Sequence, residues 1–355
     1  MVAVAVTDAE LRHALTIIRS VGKEDEVTAF GRARFSTGFF SRFTKHREVF
    51  QDYVGLELER FDVAFLVTDE ATFFGVKKRL KNALVPGKKG WEKLRNKWET
   101  HRLAKKRGVP TPETRLIDSC EDDWEYPVRV KPVLGSGSRG SRRIGSRWEF
   151  RKVVPGLLEK YGKLVVQEEV RKRGTVGVEL LYNKGKLRAV FQHRRIREHP
   201  AEGGPSTMRV SVKYRKTREL AEQLMKGLKW NGVVMVEFGL TPEGPVLFEA
   251  NPRWWGSLAL AVKAGVNFPK LYRDIVVEGD VEPVTEYETG VVCKYLLFGD
   301  ILHFRWDIAG LLKSLPETTN FDIVSLRDPL PGLTRPLLAM EISLNRKLKE
   351  RYLVR

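Results

Sequence analysis

Cysteine is nearly absent from this 355-residue chain. Its two thiols, Cys120 and Cys293, form no CxxC pair, so neither a disulfide framework nor a cysteine zinc site is expected. No apolar core of a secretory signal is seen near the N-terminus, and the expected location is a reducing cytoplasm. Long apolar runs are missing too. The longest, such as 2–6 and 63–67, fall far short of the roughly 20 residues that a membrane helix needs. Two phosphate signatures are also lacking. The turn after the opening VAVAV reads VTDAEL, without the glycines that let a pyrophosphate approach, and no lysine directly follows a glycine loop as a Walker A motif requires.

Negative charge is scarce as well, with 45 Asp and Glu against 63 Lys and Arg, a net charge of +18. Polyanions are therefore the natural partners: nucleotides, phosphorylated substrates, nucleic acid or an acidic membrane surface. At 42% hydrophobic the chain can bury a sizeable core divided among two to four subdomains.

The N-terminal VAVAV strand runs into TDAELRHALTIIRSVG, where Leu11, Leu15 and Ile18 share a helical face behind a Thr7/Asp8 cap. With EVTAFG and FDVAFLVTDEA this predicts a Rossmann-like scaffold. A basic stretch follows, residues 77–107, which reads as a linker and a basic helix. Nucleic-acid binding is one reading of it, and nucleotide-phosphate lysines among surface lysines is another. Trp91 and Trp98, seven apart, suit packing better than base stacking.

Next, YPVRVKPVLGSGSRGSRRIGS runs a strand into Gly135, Gly137 and Gly140, then the strand-like SRRI, with a helix starting only near Arg147. A strand–glycine–strand hairpin of this kind reads as a flap whose bare amides fold over phosphates, with the Lys131 ammonium alongside.

Residues 232–240 and 245–253 are two apolar runs separated by TPEG, which predicts a hairpin. A tip centred on Glu243 places Glu237 opposite Glu249, about 5 Å apart at Cβ, with Asn251 on the same face. Val236, Phe238, Phe248 and Ala250 then point into the core. Two carboxylates held this close repel, and a hard cation, Mg²⁺ or Mn²⁺, is the expected remedy for three oxygen ligands without His or Cys. Arg253 can hold an anion beside it. Ordinary surface salt bridges and a paired-carboxylate hydrolase are the alternatives, and the asparagine and arginine make the hydrolase less apt.

The order of Lys97 in RNKWETHRLAKKRGVPTPET, Lys131 in RVKPVLGSGSRG, the hinge-like VVQEEV, Glu237 in VMVEF, and FEANPR resembles the ATP-grasp superfamily over roughly 90–275. The segments VAVTDAELRHALTIIRSVG, HRRIREHPAEGGPSTMR and IVSLRDPLP resemble the branch of predicted carboligases that includes D-aspartate ligase. That resemblance implies an α+β ATP-grasp fold. A Rossmann-like domain (1–90) would precede a small subdomain with the phosphate flap (91–165) and a catalytic subdomain (166–280). An accessory C-terminal segment (281–355) would follow, ending in a basic helix that docks on the core.

The implied cofactors are ATP and Mg²⁺, with Mn²⁺ possible. Lys97 and Lys131 would bind phosphates, under a flap of Gly135, Ser136, Gly137, Ser138 and Gly140. Backbone at Glu168, Glu169 and Val170 would take the adenine edge, with Glu179 a ribose or supporting partner. Glu237, Glu249 and Asn251 would hold the metal, and Arg253 would steady the attacking carboxylate and its acyl phosphate. The acceptor side falls to RRIREHPAEGGPSTMR, with Arg194, Arg195, Arg197 and Arg209 around a turn at Gly203, Gly204 and Ser206, and His199 a candidate base. Lys131, Arg197 and Arg253 are the expected catalytic set.

The implied reaction joins a small, anionic carboxylate to an amine through an acyl phosphate. A carbamoyl phosphate synthetase-like use of bicarbonate stays open, as do a nucleic-acid-binding protein with a regulatory ATP site and a homo-oligomer.

Overall fold

The opening run is strand β1 (Ala3–Val6), one of the two inner strands of a four-stranded parallel sheet in a computed structural model that describes residues 1–121, 123–135, 140–199 and 204–352. Its sheet-mates are β2 (Glu26–Gly31), β3 (His46–Val49) and β4 (Val63–Phe65), in the order β3-β2-β1-β4. Helix α1 (Arg12–Val21) buries Ala14, Ile17 and Ile18 against this sheet. It does not use the expected cap. Leu11 is the N-cap residue, and Asp8 turns away at φ +56° because its carboxylate accepts from the Tyr53 hydroxyl and from Thr7. After β4, Thr68 caps α2 (Asp69–Lys78) through its side chain.

The basic stretch forms two helices, α3 (Lys88–Arg95) and α4 (Lys97–Lys106), separated by Asn96, whose side chain accepts from the Glu99 amide and caps α4. Trp91 is buried and stacks on Phe73, which removes it from any surface that could stack a base.

A second, antiparallel sheet follows: β5 (Thr114–Ile117), β6 (Val128–Pro132), β7 (Arg142–Ile144) and β8 (Leu164–Glu168), in the order β5-β8-β6-β7. The β6–β7 pairing is the expected hairpin, and α5 (Arg147–Tyr161) packs Phe150 and Val154 on its inner face.

The third sheet is six-stranded: β9 (Gly174–Asn183), β10 (Lys186–Glu198), β11 (Ser206–Ser211), β12 (Gly232–Thr241), β13 (Gly244–Asn251) and β14 (Val292–Lys294). Its order is β13-β12-β9-β10-β11-β14, and every pairing is antiparallel. One face packs on α6 (Arg215–Met225) around Val178, Leu224 and Phe238. The other meets the parallel sheet through α7 (Leu258–Lys263) and α8 (Phe268–Glu278), with Trp254, Trp255 and Tyr272 filling the junction.

The C-terminal segment adds a short turn of helix, α9 (Ile301–His303), then α10 (Ile308–Ser314), α11 (Leu330–Leu344) and α12 (Arg346–Tyr352). The expected terminal helix is thus two helices, broken at Asn345. Leu338, Ile342 and Leu348 dock on Ala33 of the first domain. Asp322 pins the segment deeper, accepting from Arg12 of α1 at 2.8 Å and pairing with Arg209 of β11. No helix among the described residues is long and apolar enough to cross a membrane.

Candidate active site

Strands β12 and β13 pair as the TPEG turn requires, and Glu237 lies directly opposite Glu249. One detail differs from expectation. A bulge between Glu237 and Phe238 moves the partner of Phe238 to Leu247. Leu247 therefore enters the core, while Phe248 stays half-buried with the Lys131 and Lys172 ammonium groups near its ring, at 6.0 and 5.5 Å. A bulge shifts the side-chain alternation by one residue, which the period-two reading could not anticipate.

The two carboxylates are driven apart in acidity. Burial raises Glu237 to about 7 against the attraction of Arg195, and the neighbouring Glu249 pushes the same way. Burial also opposes ionisation of Glu249. The Lys97 ammonium, a hydrogen bond with Glu237, the Asn251 amide and Lys131 outweigh it and hold Glu249 near 2. The pair shares one proton. Asn251 Nδ2 donates to Glu249 Oε1 at 3.0 Å, and Asn251 Oδ1 accepts from Arg253 Nη2 at 3.0 Å. Arg253 also reaches Asp69 Oδ2, at 3.2 Å, and the Trp254 carbonyl.

Across the cleft, Lys97 at the start of α4 donates to the Gly135 carbonyl at 2.7 Å. Lys131 on β6 donates to Gln167 Oε1 on β8 at 2.5 Å, and Gln167 Nε2 in turn donates to Thr114 Oγ1 and to His101 Nε2. Burial lowers Lys131 to about 8, with Glu249 pulling the other way, and it lowers Lys97 as well. Burial, with Lys131 nearby, depresses His101 to about 3, so its ring is neutral and can accept. Asp69, Arg95, Lys97, Gly135, Glu249 and Asn251 are among the residues lining one cleft.

This donor set suits a hard divalent cation bound together with phosphate. Among the described residues no three His, Cys, Asp or Glu side chains converge. Two carboxylates and one amide oxygen leave positions that phosphate oxygens would fill, and replacing the shared proton by a cation would relieve their repulsion.

Around this centre the other expected residues divide. Arg195 pairs with Glu237 and donates to Glu198 and to the Gly204 carbonyl, both at 3.3 Å. Arg197 is turned elsewhere, onto Asp300 at 2.9 Å and Glu317 at 3.0 Å. Ser206 donates to the Met208 carbonyl. Glu168 ends β8 and accepts from the Glu113 amide, while Glu169 pairs with Arg129 and Arg143, with Val170 next in line. Glu179 is fully buried, accepting from Ser257 at 2.6 Å and paired with His193 at 3.0 Å, on the same face of the sheet as Glu237. Gly140 is left-handed at φ +72°, and a Cβ there would press on Pro132 and Tyr161. Ser136, Gly137, Ser138 and Gly203 lie outside the described residues.

Sequence reasoning missed Asp69, Arg95, Lys172, Gln167, His101 and His193. Asp69 carried a usable signal as an acidic first-turn residue of α2. Lys172, which donates to Thr175 Oγ1, is indistinguishable in sequence from the arginines around it.

Residues 94–257 match the ATP-grasp domain family. The chain carries an ATP-grasp domain. Among curated proteins, D-alanine–D-alanine ligase of Aquifex aeolicus is 27% identical over 167 residues, 42% of this chain and 55% of that protein. Phosphoribosylamine–glycine ligase of Methanopyrus kandleri is 25% identical over 285 residues, 66% of this chain and 62% of the relative. The chain thus spans less than two-thirds of either relative. N5-carboxyaminoimidazole synthetase from Staphylococcus aureus has a similar structure, with a TM-score of 0.69, 14% identity and coverage of 87% of this chain and 86% of that one. L-amino acid ligase from Bacillus licheniformis gives 0.60 at 18% identity, covering 79% and 77%. These likenesses establish an α+β ATP-grasp fold that extends beyond the matched domain. Lys97, Lys131, Glu237, Glu249, Asn251 and Arg253 all fall within the ATP-grasp domain, while Asp69 reaches them from the parallel-sheet domain.

Proposed function

We propose that this protein is an ATP- and Mg²⁺-dependent ligase that activates a carboxylate as its acyl phosphate and joins it to an amine. The observation that carries the reading is the Glu237–Glu249 pair with Asn251 beside it: Glu249 and Asn251 line one cleft with Lys97, and the Lys131 ammonium acts electrostatically on the same Glu249. A carboxylate oxygen would attack the γ-phosphorus and ADP would leave. The amine nitrogen would then attack the acyl carbon, expel phosphate and lose its proton.

Lys97 and Lys131 would hold the phosphates from one wall. Glu237, Glu249 and Asn251 would hold Mg²⁺, or Mn²⁺, from the other, and that ion would neutralise charge on the transferring phosphoryl group. Arg253, fixed by Asp69 and Asn251, is oriented to hold the carboxylate in line. Arg195 is the nearer acceptor-side arginine. Arg197, engaged with Asp300 and Glu317, acts on the substrate only through the segment it braces. Strand β8 ends at Glu168, so the backbone of Glu168–Val170 would meet the adenine edge. The excess of cationic groups around the cleft favours an anionic acid, and the chain's working location would be the cytoplasm.

Bicarbonate is a second candidate for the activated acid. The biotin carboxylase domain of Hydrogenobacter thermophilus 2-oxoglutarate carboxylase, crystallised with MgADP and bicarbonate, has a similar fold at a TM-score of 0.62.

The test is Mg²⁺-dependent ADP and phosphate release across carboxylic acids paired with amino acids and amines, bicarbonate included, comparing the parent with Glu249→Gln. Turnover with one pair, lost in the variant, is expected. Nucleotide binding without stimulated release by any acid would overturn the ligase reading.

A further inference from the structure

Residues 77–107 carry 13 Lys and Arg against two Glu, so +11 of the chain's +18 falls on 31 residues. Two of these cations, Arg95 and Lys97, line the cleft. Most of the others point away from it, and folding gathers further lysines around them.

Gly90 of α3 packs on the turn before β12, where a Cβ would lie 3.8 Å from the Leu228 carbonyl oxygen and 3.7 Å from the Trp230 ring. The β9–β10 turn meets the same segment. Gly185 donates its amide to the Trp230 carbonyl at 2.7 Å, and a Cβ on it would lie 3.2 Å from Lys229 Cα. Lys88 and Lys89 of α3, Lys229, and Lys184 and Lys186 therefore stand on one surface, all exposed. Val76, one turn before Arg79 at the end of α2, shares a core with Trp91 and Trp230, which brings Arg79 to the edge of this surface. Lys88 lies 4.0 Å from Glu92, and the other five cations make no ion pair with a described residue.

The backbone carries these charges under strain. Of the five described non-glycine residues with a left-handed backbone, three are cations of this surface: Arg79 at φ +55°, Lys184 at +49° and Lys229 at +47°. A Cβ is disfavoured there, and Gly or Asn is the ordinary choice. Lys184 and Gly185, the latter at φ +86°, fill the two central positions of a hairpin turn in which Asn-Gly is preferred. Exposed and unpaired, the strained cations gain nothing within the fold that offsets their conformation, which points to a partner outside it.

The make-up of the surface selects that partner. None of the exposed large apolar side chains falls within 79–93, 184–186 or 226–229. A protein interface has an apolar or aromatic centre and is depleted in lysine, and a membrane-bound helix needs an apolar face, so neither fits. Unstacked bases would need aromatic platforms. Trp91 and Trp230 are buried, and Phe73 of α2 already has its ring stacked on Trp91. A regular array of phosphates whose bases stay paired is the ligand that lysines alone can hold. We propose that this surface binds the phosphodiester backbone of double-helical nucleic acid without reading its sequence. The surface lies outside the cleft, so the binding is independent of the ligase reaction.

The experiment is fluorescence anisotropy of a labelled duplex of about 20 base pairs, as DNA and as RNA, titrated with the full chain from about 50 to about 200 mM NaCl. Contacts by five lysines should give micromolar binding at the lowest salt, weakening about 500-fold across the range and alike for unrelated sequences. Binding to either duplex supports the proposal, and the tighter one identifies the partner. Lys184→Asn combined with Lys229→Asn suits the left-handed backbone while removing two charges. It should melt no lower than the parent, bind at least about tenfold more weakly and make the salt slope shallower by about two. Lys347→Asn combined with Lys349→Asn, at exposed positions of α12, lowers the net charge equally and should bind as the parent does. No binding at about 100 µM chain and low salt overturns the proposal, as does a control pair that weakens binding as much as the Lys184 and Lys229 pair. Binding that saturating MgATP abolishes and the Lys184 and Lys229 pair leaves intact also overturns it, by assigning the duplex to the cleft. So does co-sedimentation with phosphatidylserine vesicles without duplex binding.

Discussion

Glu237 and Glu249 sit at one register position of adjacent strands, yet one holds its proton to about pH 7 and the other loses it near 2. A cation that takes both must displace that proton. Mg²⁺-nucleotide affinity is therefore expected to fall up to tenfold per pH unit below about 7 and to level off above it, with Glu237→Gln removing the slope. Calorimetry at pH 6 in two buffers of different ionisation enthalpy would read the proton release. The sign for stability is the reverse. The contribution of protonated Glu237 is complete below its unfolded value near 4.5 and lost as pH rises through 7, so the parent's melting point relative to Glu237→Gln should decline over that interval.

Lys131 sets the upper limb of the same profile. Burial lowers its ammonium to about 8, and phosphate oxygens would favour the charged form. ATP affinity should decline above pH 8, and Lys131→Met should weaken binding by about 10- to 100-fold while flattening that decline. A fluorescent-nucleotide titration at pH 7, 8 and 9 checks both effects.

Gly177 pairs with Glu237 on one side and His193 on the other. A Cβ there would stand 2.4 Å from His193 Cε1, so Gly177→Ala must displace the ring and break its contact with Glu179. A loss of ~1–3 kcal/mol is expected in urea unfolding, with a larger loss of Mg²⁺ affinity than of nucleotide affinity as Glu237 shifts.

Asp322 is the anion between two buried guanidinium groups. Asp322→Asn would leave Arg12 and Arg209 sharing no full negative charge and should cost ~3–5 kcal/mol. Differential scanning calorimetry would show a lowered midpoint. An unchanged one would mean that the C-terminal segment adds little to the fold.

The Glu237–Glu249 register was legible because a short turn of known residues fixes the pairing of the strands that leave it. Counting from TPEG was enough to oppose Glu237 and Glu249. The same counting misplaced Phe248, since a bulge inserts a residue without any marker in the sequence. Lys131 was legible as a lysine beside a strand–glycine–strand hairpin, and Lys97 only through the resemblance to the ATP-grasp superfamily. The partners of Arg197 were not, because Asp300 and Glu317 lie more than 100 residues away and only the folded chain brings them close. His193 was silent for a similar reason: a histidine in an apolar strand looks like core until Glu179 is seen beneath it. Strand β3, four exposed residues of mixed polarity, has no periodic signature at all.

The Asp322 clamp has a mechanical consequence. It ties α1, β11 and the C-terminal segment together, and Arg253 with Asp69 ties β13's end to α2, so ion pairs as well as the apolar junction join the parallel sheet to the six-stranded sheet. The antiparallel four-stranded sheet is joined to them by the short chain between β8 and β9, residues 169–173, and by α4. Lys131 therefore stands on one sheet and both carboxylates on another. The distance between Lys131 and Glu249 is accordingly the coordinate that would report any movement of one sheet against the other.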